Sequence, residues 1–467
     1  MKYKSDFDIT YSQGESPLKI TRKEAAEDLD LAFYLLQTSS ASFLNQTNKF
    51  IAYRRYNHLK KMLKKSESTD TLDFLKQLLF LTSGIKDLHM ELSANINNVD
   101  YYFSPTSRKI VYFSNDIFEK IGRKFFLNKN DFIKGKILNE KSHRNNKDNF
   151  FVPVINNDKK FYRMVKFFSK NYEDDESQIK NICDFSKYTY GNNTYSLLQN
   201  ECKKLNASYW ILPDYMASES ISNAFFDKYQ KEIQEGVKDV LIIDNRWNHG
   251  GTPYKAVELL FDLFKLDKND FYNFCNREKK ENEYLEIKHR ISTPIAKNNL
   301  SRLSNISDEK LINFWNHQLD KTKNGKSFWK SAAKSCLPPW VYDRKTTKKI
   351  KYSGLIVLLV SQETTSFGEL LFDYIHKNFG YKKIIMIGTN TCGAVTYSNP
   401  ESYFLKNSKI RLVLSSGIDD YDKKEFHYYK KYIETRGFLP KYWISNENEL
   451  ISTINYVINR WRENEDL

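Results

Sequence analysis

The run Thr364-Thr365-Ser366-Phe367-Gly368-Glu369 sets a serine at the start of a helical pattern, directly behind the apolar stretch Leu355–Val360. A serine hydroxyl becomes a nucleophile when a base takes its proton and when fixed donors meet the negative charge that the attack creates. A helix start offers such donors, because its first N–H groups have no partner inside the helix; that of Phe367 comes directly after the serine. A second source stands in Asp244-Asn245-Arg246-Trp247-Asn248-His249-Gly250-Gly251, where a Gly-Gly pair closes the apolar stretch Val240–Ile243. Gly250 or Gly251 supplies the other donor if the two strands are neighbours, since sites in open α/β sheets gather at the carboxyl ends of strands. These two halves spell an acyl-transfer site. The same three hydroxyl residues also fit plain helix capping, for which Ser and Thr are favoured.

A base must come from among eight histidines. His376 lies further along the helix that Ser366 opens, about 15 Å away at ~1.5 Å per residue, and is out of reach. His249 stands inside the Gly-Gly turn. His89, in Ile85-Lys86-Asp87-Leu88-His89-Met90-Glu91-Leu92, follows a helix stop. A lone histidine beside apolar residues is more often a core or surface residue than a catalyst, so the residues alone leave the base open.

The elements that must carry these side chains can be read from periodicity. Thr21-Arg22-Lys23-Glu24 is a capping box, and Leu29, Ala32, Phe33 and Leu36 then follow at helical spacing. A second helix begins near Asp70, carries Leu72, Leu75, Leu78 and Leu79 on one side, and stops at Gly84. Residues 1–93 therefore read as an N-terminal helical domain. Residues 94–205 read as a mixed α/β region, with short aromatic strands such as Lys109–Phe113 and an exposed loop around Lys141–Asp148. From Ala207 onward strands alternate with helices: a strand at Tyr209–Leu212, a helix at Ser218–Gly236, a strand at Val240–Ile243 and a helix at Pro253–Phe264. After the Leu355–Val360 strand come a helix from Ser366 to about Asn378 and strands at Ile384–Ile387 and Ile410–Leu414. Such alternation predicts an α/β fold with a mostly parallel, helix-covered sheet, here assigned to residues 206–265 and 350–467. Residues 266–349 interrupt it with charged, Trp-bearing sequence, an insertion that fits a lid.

Size and composition bound what this site can belong to. At 467 residues the chain is long enough for two or three domains. No apolar run reaches the ~18 residues that span a bilayer, so no integral membrane segment is expected. The first residues carry no apolar leader core; the chain is cytoplasmic if this is its natural start, and exported if a leader has been removed. The five cysteines (Cys183, Cys202, Cys275, Cys336, Cys392) are odd in number and form no CxxC, which argues for reduced thiols and against a zinc site. No metal and no cofactor is expected. A net charge of +15 invites a nucleic-acid reading, yet the lysines are scattered among acids with no recognition motif beside them, so a solvated basic surface fits better.

In order and spacing these pieces resemble the tail-specific (C-terminal-processing) serine proteases, in the branch that includes the tricorn core protease and the retinoid-binding-protein repeats. Asp87-Leu88-His89 is similar to the family's D-x-H block, and Leu241–Gly251 to its LIIDLRxNxGG strand and turn. Thr365-Ser366-Phe367-Gly368-Glu369 matches its S-S-x-x-E nucleophile block, and Ile387–Ala394 its iGxxTxGa block. Tyr403–Ser408 and Glu434–Pro440 fit its closing segments. The resemblance covers roughly residues 20–95 and 205–465 and implies a ClpP/crotonase-like core. It also implies a serine endopeptidase acting on extended or unfolded polypeptides: Ser366 attacks, His89 moves the proton, Glu434 orients the imidazole, and the N–H groups of Phe367 and of Gly250 or Gly251 hold the oxyanion. Glu369 reads as a structural anchor, and Asp244 with Arg246 as the pin of the turn. The chain departs from the pattern in places. The lysine that one branch uses as base is Ala394 here, the neighbours of His89 are Leu88 and Met90 rather than serine, the closing PD is Pro440-Lys441, and no PDZ module is evident. Two alternatives stand beside the peptidase: a binding protein of the same fold with lapsed catalysis, and a crotonase-type acyl-transfer enzyme, which needs neither Ser366 nor His89.

Overall fold

Thr21 and Glu24 close the expected capping box in the computed structural model of the chain, with Glu24 N–H donating to Thr21 Oγ1 at 3.3 Å and Thr21 N–H to Glu24 Oε2 at 2.8 Å. The residues described are 14–106, 109–121, 124–127, 131–133, 149–153, 161–169, 193–212, 219–251, 254–264, 286–303, 309–331, 352–373, 375–376, 381–420, 437–444 and 447–463. The chain divides into two compact units: Met1–Ser107 with Asn282–Cys336 and Thr396–Phe426, and Arg108–Glu281 with Leu337–Val395 and His427–Leu467.

In the first unit the helix Arg22–Ser39 buries Leu29, Ala32, Phe33 and Leu36, the face its spacing predicts. Helices Ala41–Gln46 and Lys49–Leu63 follow, and then Thr71–Thr82, whose first turn is capped by Asp70 accepting from Leu72 N–H at 3.0 Å. Their apolar faces share one core with strand residues such as Leu92, Leu412 and Leu414. Those strands belong to an antiparallel sheet that runs Phe328–Ser331, Glu286–Ile291, Arg411–Asp420, Glu91–Ile96, Val99–Phe103, with Tyr397–Phe404 also paired to Arg411–Asp420. Of the stretch 266–349, the described residues thus give this sheet two strands, together with the helices Thr293–Arg302 and Glu309–Thr322.

The second unit holds a parallel sheet in the order Ser208–Ile211, Val240–Asp244, Leu355–Val360, Ile384–Gly388, Tyr442–Trp443. Its central strands read as unbroken apolar runs because a parallel sheet is covered on both faces; every residue of Val240–Asp244 and Leu355–Val360 is buried. Val240, Ile242, Val357, Leu359 and Ile387 pack with Ile454, Val457 and Ile458 of the helix Glu447–Arg462. Helices Glu219–Glu235, Tyr254–Phe264 and the short Phe367–Asp373 complete the alternation. The mixed α/β class with a helix-covered parallel sheet and helices at the N-terminus is therefore the observed one. A further antiparallel sheet in this unit orders Asp131–Ile133, Lys124–Leu127, Lys109–Ile121, Phe161–Ser169 and Asn149–Pro153. The loop expected around Lys141–Asp148 lies outside the described residues, as do Cys183, Cys275 and Cys336. Cys202 and Cys392 are buried and free. Among the described residues no helix is long and apolar enough to cross a membrane.

Candidate active site

Strands Val240–Asp244 and Leu355–Val360 pair in parallel, Asp244 opposite Leu359, so the turns that follow them leave the sheet side by side. The first turn is fixed from below by a buried ion pair. Arg246 donates through Nε to Asp244 Oδ1 at 2.8 Å and through a terminal nitrogen to Oδ2 at 2.6 Å, the two-pronged geometry that makes such pairs strong. Tyr209 O–H adds a bond to Oδ2 at 2.7 Å. Burial, helped by the Asp244 charge, pushes the Tyr209 phenol far above its ordinary value, so it stays a donor.

Asparagines then lace the two turns together. Asn245 N–H donates to Leu359 O at 3.0 Å, its side-chain amide donates to Gly368 O at 2.6 Å, and its carbonyl accepts from Thr364 Oγ1 at 2.9 Å. Asn248 accepts at its carbonyl from Thr365 N–H at 2.9 Å, and at its side-chain oxygen from Gly250 N–H at 2.8 Å. Gly250 has φ +88° and Gly251 φ +110°, both in territory that suits only glycine. A methyl group on Gly250 would stand 2.7 Å from Ser366 Cβ, 2.8 Å from Thr365 O and 3.0 Å from Phe367 N. Gly250 is thus the surface on which the serine turn rests.

Ser366 itself has φ +55°, a left-handed conformation that costs a non-glycine residue about 1–3 kcal/mol and persists only where the surroundings enforce it. The enforcement comes from Glu369. Its Oε1 accepts from Ser366 N–H at 3.0 Å and Ala394 N–H at 2.8 Å; its Oε2 accepts from Gly393 N–H at 2.7 Å and from the Thr391 hydroxyl. Burial pushes this carboxyl up to about 7, against four donors that all favour the anion. The capping alternative can be weighed hydroxyl by hydroxyl. Thr364 Oγ1 donates to Asn245 O and Thr365 Oγ1 to Glu363 O, whereas Ser366 Oγ has no hydrogen-bond partner among the described residues of its own unit.

Of the residues singled out in the sequence, Ser366, Phe367, Gly250 and Gly251 come together in the second unit. Gly250 carries a qualification: its N–H is committed to Asn248, and its contribution to the serine turn is closeness. The sequence reading overlooked Asn248, although Asn-x-Gly is the spelling of a turn in which the asparagine side chain binds the backbone two residues on. His89 belongs to the first unit, in the turn between the helix Thr71–Thr82 and the strand Glu91–Ile96, where burial holds its imidazole below the ordinary value and the Asp87 charge opposes this. Glu434 lies outside the described residues.

Residues 212–427 match the sequence model of peptidase family S41. The match takes in Gly250, Gly251, Ser366 and Phe367 and leaves His89 and Glu434 beyond its ends. No curated protein matches the chain. Among solved structures, that of mature CPAF complexed with lactacystin is similar at 13% identity and a TM-score of 0.45, over 95% of this chain and 99% of that one. The tricorn protease is similar at 13% identity and a TM-score of 0.42, over 95% of this chain and 37% of that one. Likenesses of this size say nothing about the site. Over residues 212–427, just under half of its length, the chain is similar to peptidase family S41.

Proposed function

We propose that the chain is a serine endopeptidase that hydrolyses peptide bonds in extended or unfolded polypeptides, with Ser366 as nucleophile. The observation that carries this reading is the left-handed Ser366, braced by Glu369 and resting on Gly250, its hydroxyl without a partner in its own unit while both preceding threonines are engaged. Strain held by a dedicated buried carboxylate, at the carboxyl end of a central strand, is a feature of sites that present a side chain for reaction rather than for capping.

In this reading Ser366 Oγ attacks the scissile carbonyl carbon as its proton passes to His89 Nε2. The tetrahedral oxyanion is met by Phe367 N–H and by a donor of the glycine turn, which falls to Gly251 because Gly250 N–H is held by Asn248. Each such donor lowers the barrier by about 3 kcal/mol. His89 then protonates the leaving amine, and a water repeats the sequence on the acyl-enzyme. Glu434 is proposed as the acid that steadies the imidazole. The excess of basic residues favours acidic segments or a free carboxylate in the substrate, an attraction that salt screens.

A fluorophosphonate probe tests the reading on the full chain. Wild type is expected to be labelled, and Ser366→Ala and His89→Ala are expected to lose labelling while remaining folded. Labelling that survives in Ser366→Ala would remove the nucleophile. A folded wild type that never reacts would favour a binding protein of the same fold.

A further inference from the structure

The turn that presents His89 contains two buried atoms with unmet needs. Among the described residues, His89 Nδ1 and Asp87 Oδ2 each lack a hydrogen-bond partner, and the carboxylate of Asp87 lies beside the ring, Oδ1 3.9 Å from Nδ1. Asp87 is fully buried, and the His89 side chain is 14% exposed. The other oxygen of Asp87 is occupied: Oδ1 accepts from His89 N–H at 2.9 Å and from Ser415 Oγ at 3.1 Å.

We propose that Asp87, in place of Glu434, is the positioning residue of His89, its carboxylate accepting the Nδ1 proton so that Nε2 is the basic nitrogen of the ring. The inference rests on the reading of His89 as the base. A separation of 3.9 Å exceeds a hydrogen bond by about 1 Å. The torsions that would close it, the terminal ones of Asp and His, are broad and soft. Closing it onto Oδ1 gives Nδ1 an acceptor, and a turn of the carboxyl that brings Oδ2 to Nδ1 satisfies both orphaned atoms at once. The backbone on either side is already held, so the adjustment is confined to the two side chains. Gln46 clamps Lys86 from both sides, donating to its carbonyl at 2.8 Å and accepting from its N–H at 2.9 Å, and is itself held by the Tyr397 hydroxyl at 2.9 Å. Met90 N–H closes the turn onto Asp87 O at 3.2 Å, and Ser104 Oγ holds Met90 O at 3.1 Å.

The chemistry follows from the charge. With Nδ1–H turned to Asp87, the neutral ring exposes a lone pair at Nε2. When Nε2 takes the serine proton, the imidazolium keeps both protons and lies against a buried carboxylate. Asp87 transfers nothing.

Asp87→Asn separates this role from a merely structural one. Asparagine retains an oxygen for His89 N–H and Ser415, but loses the charge and offers an amide donor to Nδ1. The measurement is the pH midpoint of His89 carbethoxylation by diethyl pyrocarbonate, followed by peptide mass spectrometry on the full chain, alongside the rate of fluorophosphonate labelling. In Asp87→Asn the midpoint is expected to fall by about one pH unit or more, the size of an opposite charge within ~4–6 Å. Labelling should slow by at least 10²-fold, since the same exchange in a serine triad costs about 10⁴. Asp87→Glu is expected to keep the midpoint near wild type and recover part of the rate. Ser415→Ala, which removes a neutral bond to the same carboxylate, is expected to leave the midpoint in place. An unmoved midpoint in folded Asp87→Asn overturns the proposal; should that variant not fold, a fall in Asp87→Glu equal to loss of the charge overturns it instead. A wild type that never labels sinks the peptidase reading, and the midpoints still decide whether Asp87 acts on His89.

Discussion

Replacing Gly250 by alanine would test the serine turn most directly, because its effect can be worked out atom by atom. The new methyl would lie 2.7 Å from Ser366 Cβ, where two carbon atoms rest about 3.5–4.0 Å apart. The other near atoms, Thr365 O at 2.8 Å and Phe367 N at 3.0 Å, are backbone, so no flexible side-chain end can swing aside. The serine turn and the glycine turn must therefore part by about 1 Å, a displacement that costs on the order of 10²-fold in rate at a reacting group. Alanine at φ +88° also carries a backbone penalty of about 1–2 kcal/mol. Gly325 provides the control: it has φ +74° and nothing within 4 Å of an added methyl, so Gly325→Ala bears the backbone strain without the collision. The assay is the second-order rate of fluorophosphonate labelling, with urea unfolding run in parallel. Gly250→Ala is expected to lose about 100-fold, a barrier increase of ~2.7 kcal/mol, and Gly325→Ala to keep its rate. A folded Gly250→Ala that labels within threefold of wild type would refute the claim that the serine's position depends on this contact.

Three other outcomes are expected. Glu369→Gln can keep its oxygen on Ser366 N–H and Ala394 N–H and turn its NH₂ towards the Thr391 hydroxyl, which can accept, and Gly393 N–H, which cannot, so at least one bond to a charged group is lost at about 1.5–3 kcal/mol; the urea midpoint should fall with the slope unchanged, and an unchanged midpoint would count against the four-donor arrangement. Arg246→Met strands a buried Asp244 and should cost about 3–5 kcal/mol, much of it recovered when Asp244→Leu is added; equal destabilisation by single and double variants would show that the pair does not hold the turn. Burial holds His89 below its ordinary value of about 6.5, so between the two values the unfolded chain binds the extra proton. Stability from this source is complete above pH ~6.5 and lost as pH falls below it, and His89→Gln should flatten that part of the profile. A profile of identical slope in the variant would mean that the imidazole is not buried.

The parts of the fold legible in the sequence were those where one physical demand dominates. Val240–Ile243 and Leu355–Val360 could be read as buried parallel strands because both faces of such a sheet exclude water, and Thr21 with Glu24 spelled a helix start because orphan N–H groups must be met. Harder to see were elements whose apolar residues are diluted by charge. The helices Lys49–Leu63 and Glu447–Arg462 bury only a stripe and carry lysines, arginines and acids elsewhere. The strands Glu286–Ile291 and Phe328–Ser331 mix charged with apolar residues, and their place in a sheet with Arg411–Asp420 depends on pairings across long sequence distances that no local pattern records. In the site, residue types pointed to the serine and the glycines, since only those types suit the roles. The φ of Ser366 was invisible, because serine has no preference for that region and the cause lies in Glu369 and the loop Thr391–Ala394. The commitment of Gly250 N–H to Asn248, and the loose contact of Asp87 with His89, are matters of ångströms that a string of letters does not carry.

The pairing of Asp244 with Leu359 places the origins of the two chemical turns a single strand spacing apart, whatever chain runs between them. Hydrogen-bond register, not the connecting sequence, sets the distance from the glycine pair to the serine. The stretch beyond the glycine turn therefore need not set that distance, and part of it, Glu286–Ile291 and Phe328–Ser331, is built into a sheet of the other unit. Diversity of partners and regulation in such a scaffold can accumulate in that stretch without disturbing the few bonds on which reactivity depends.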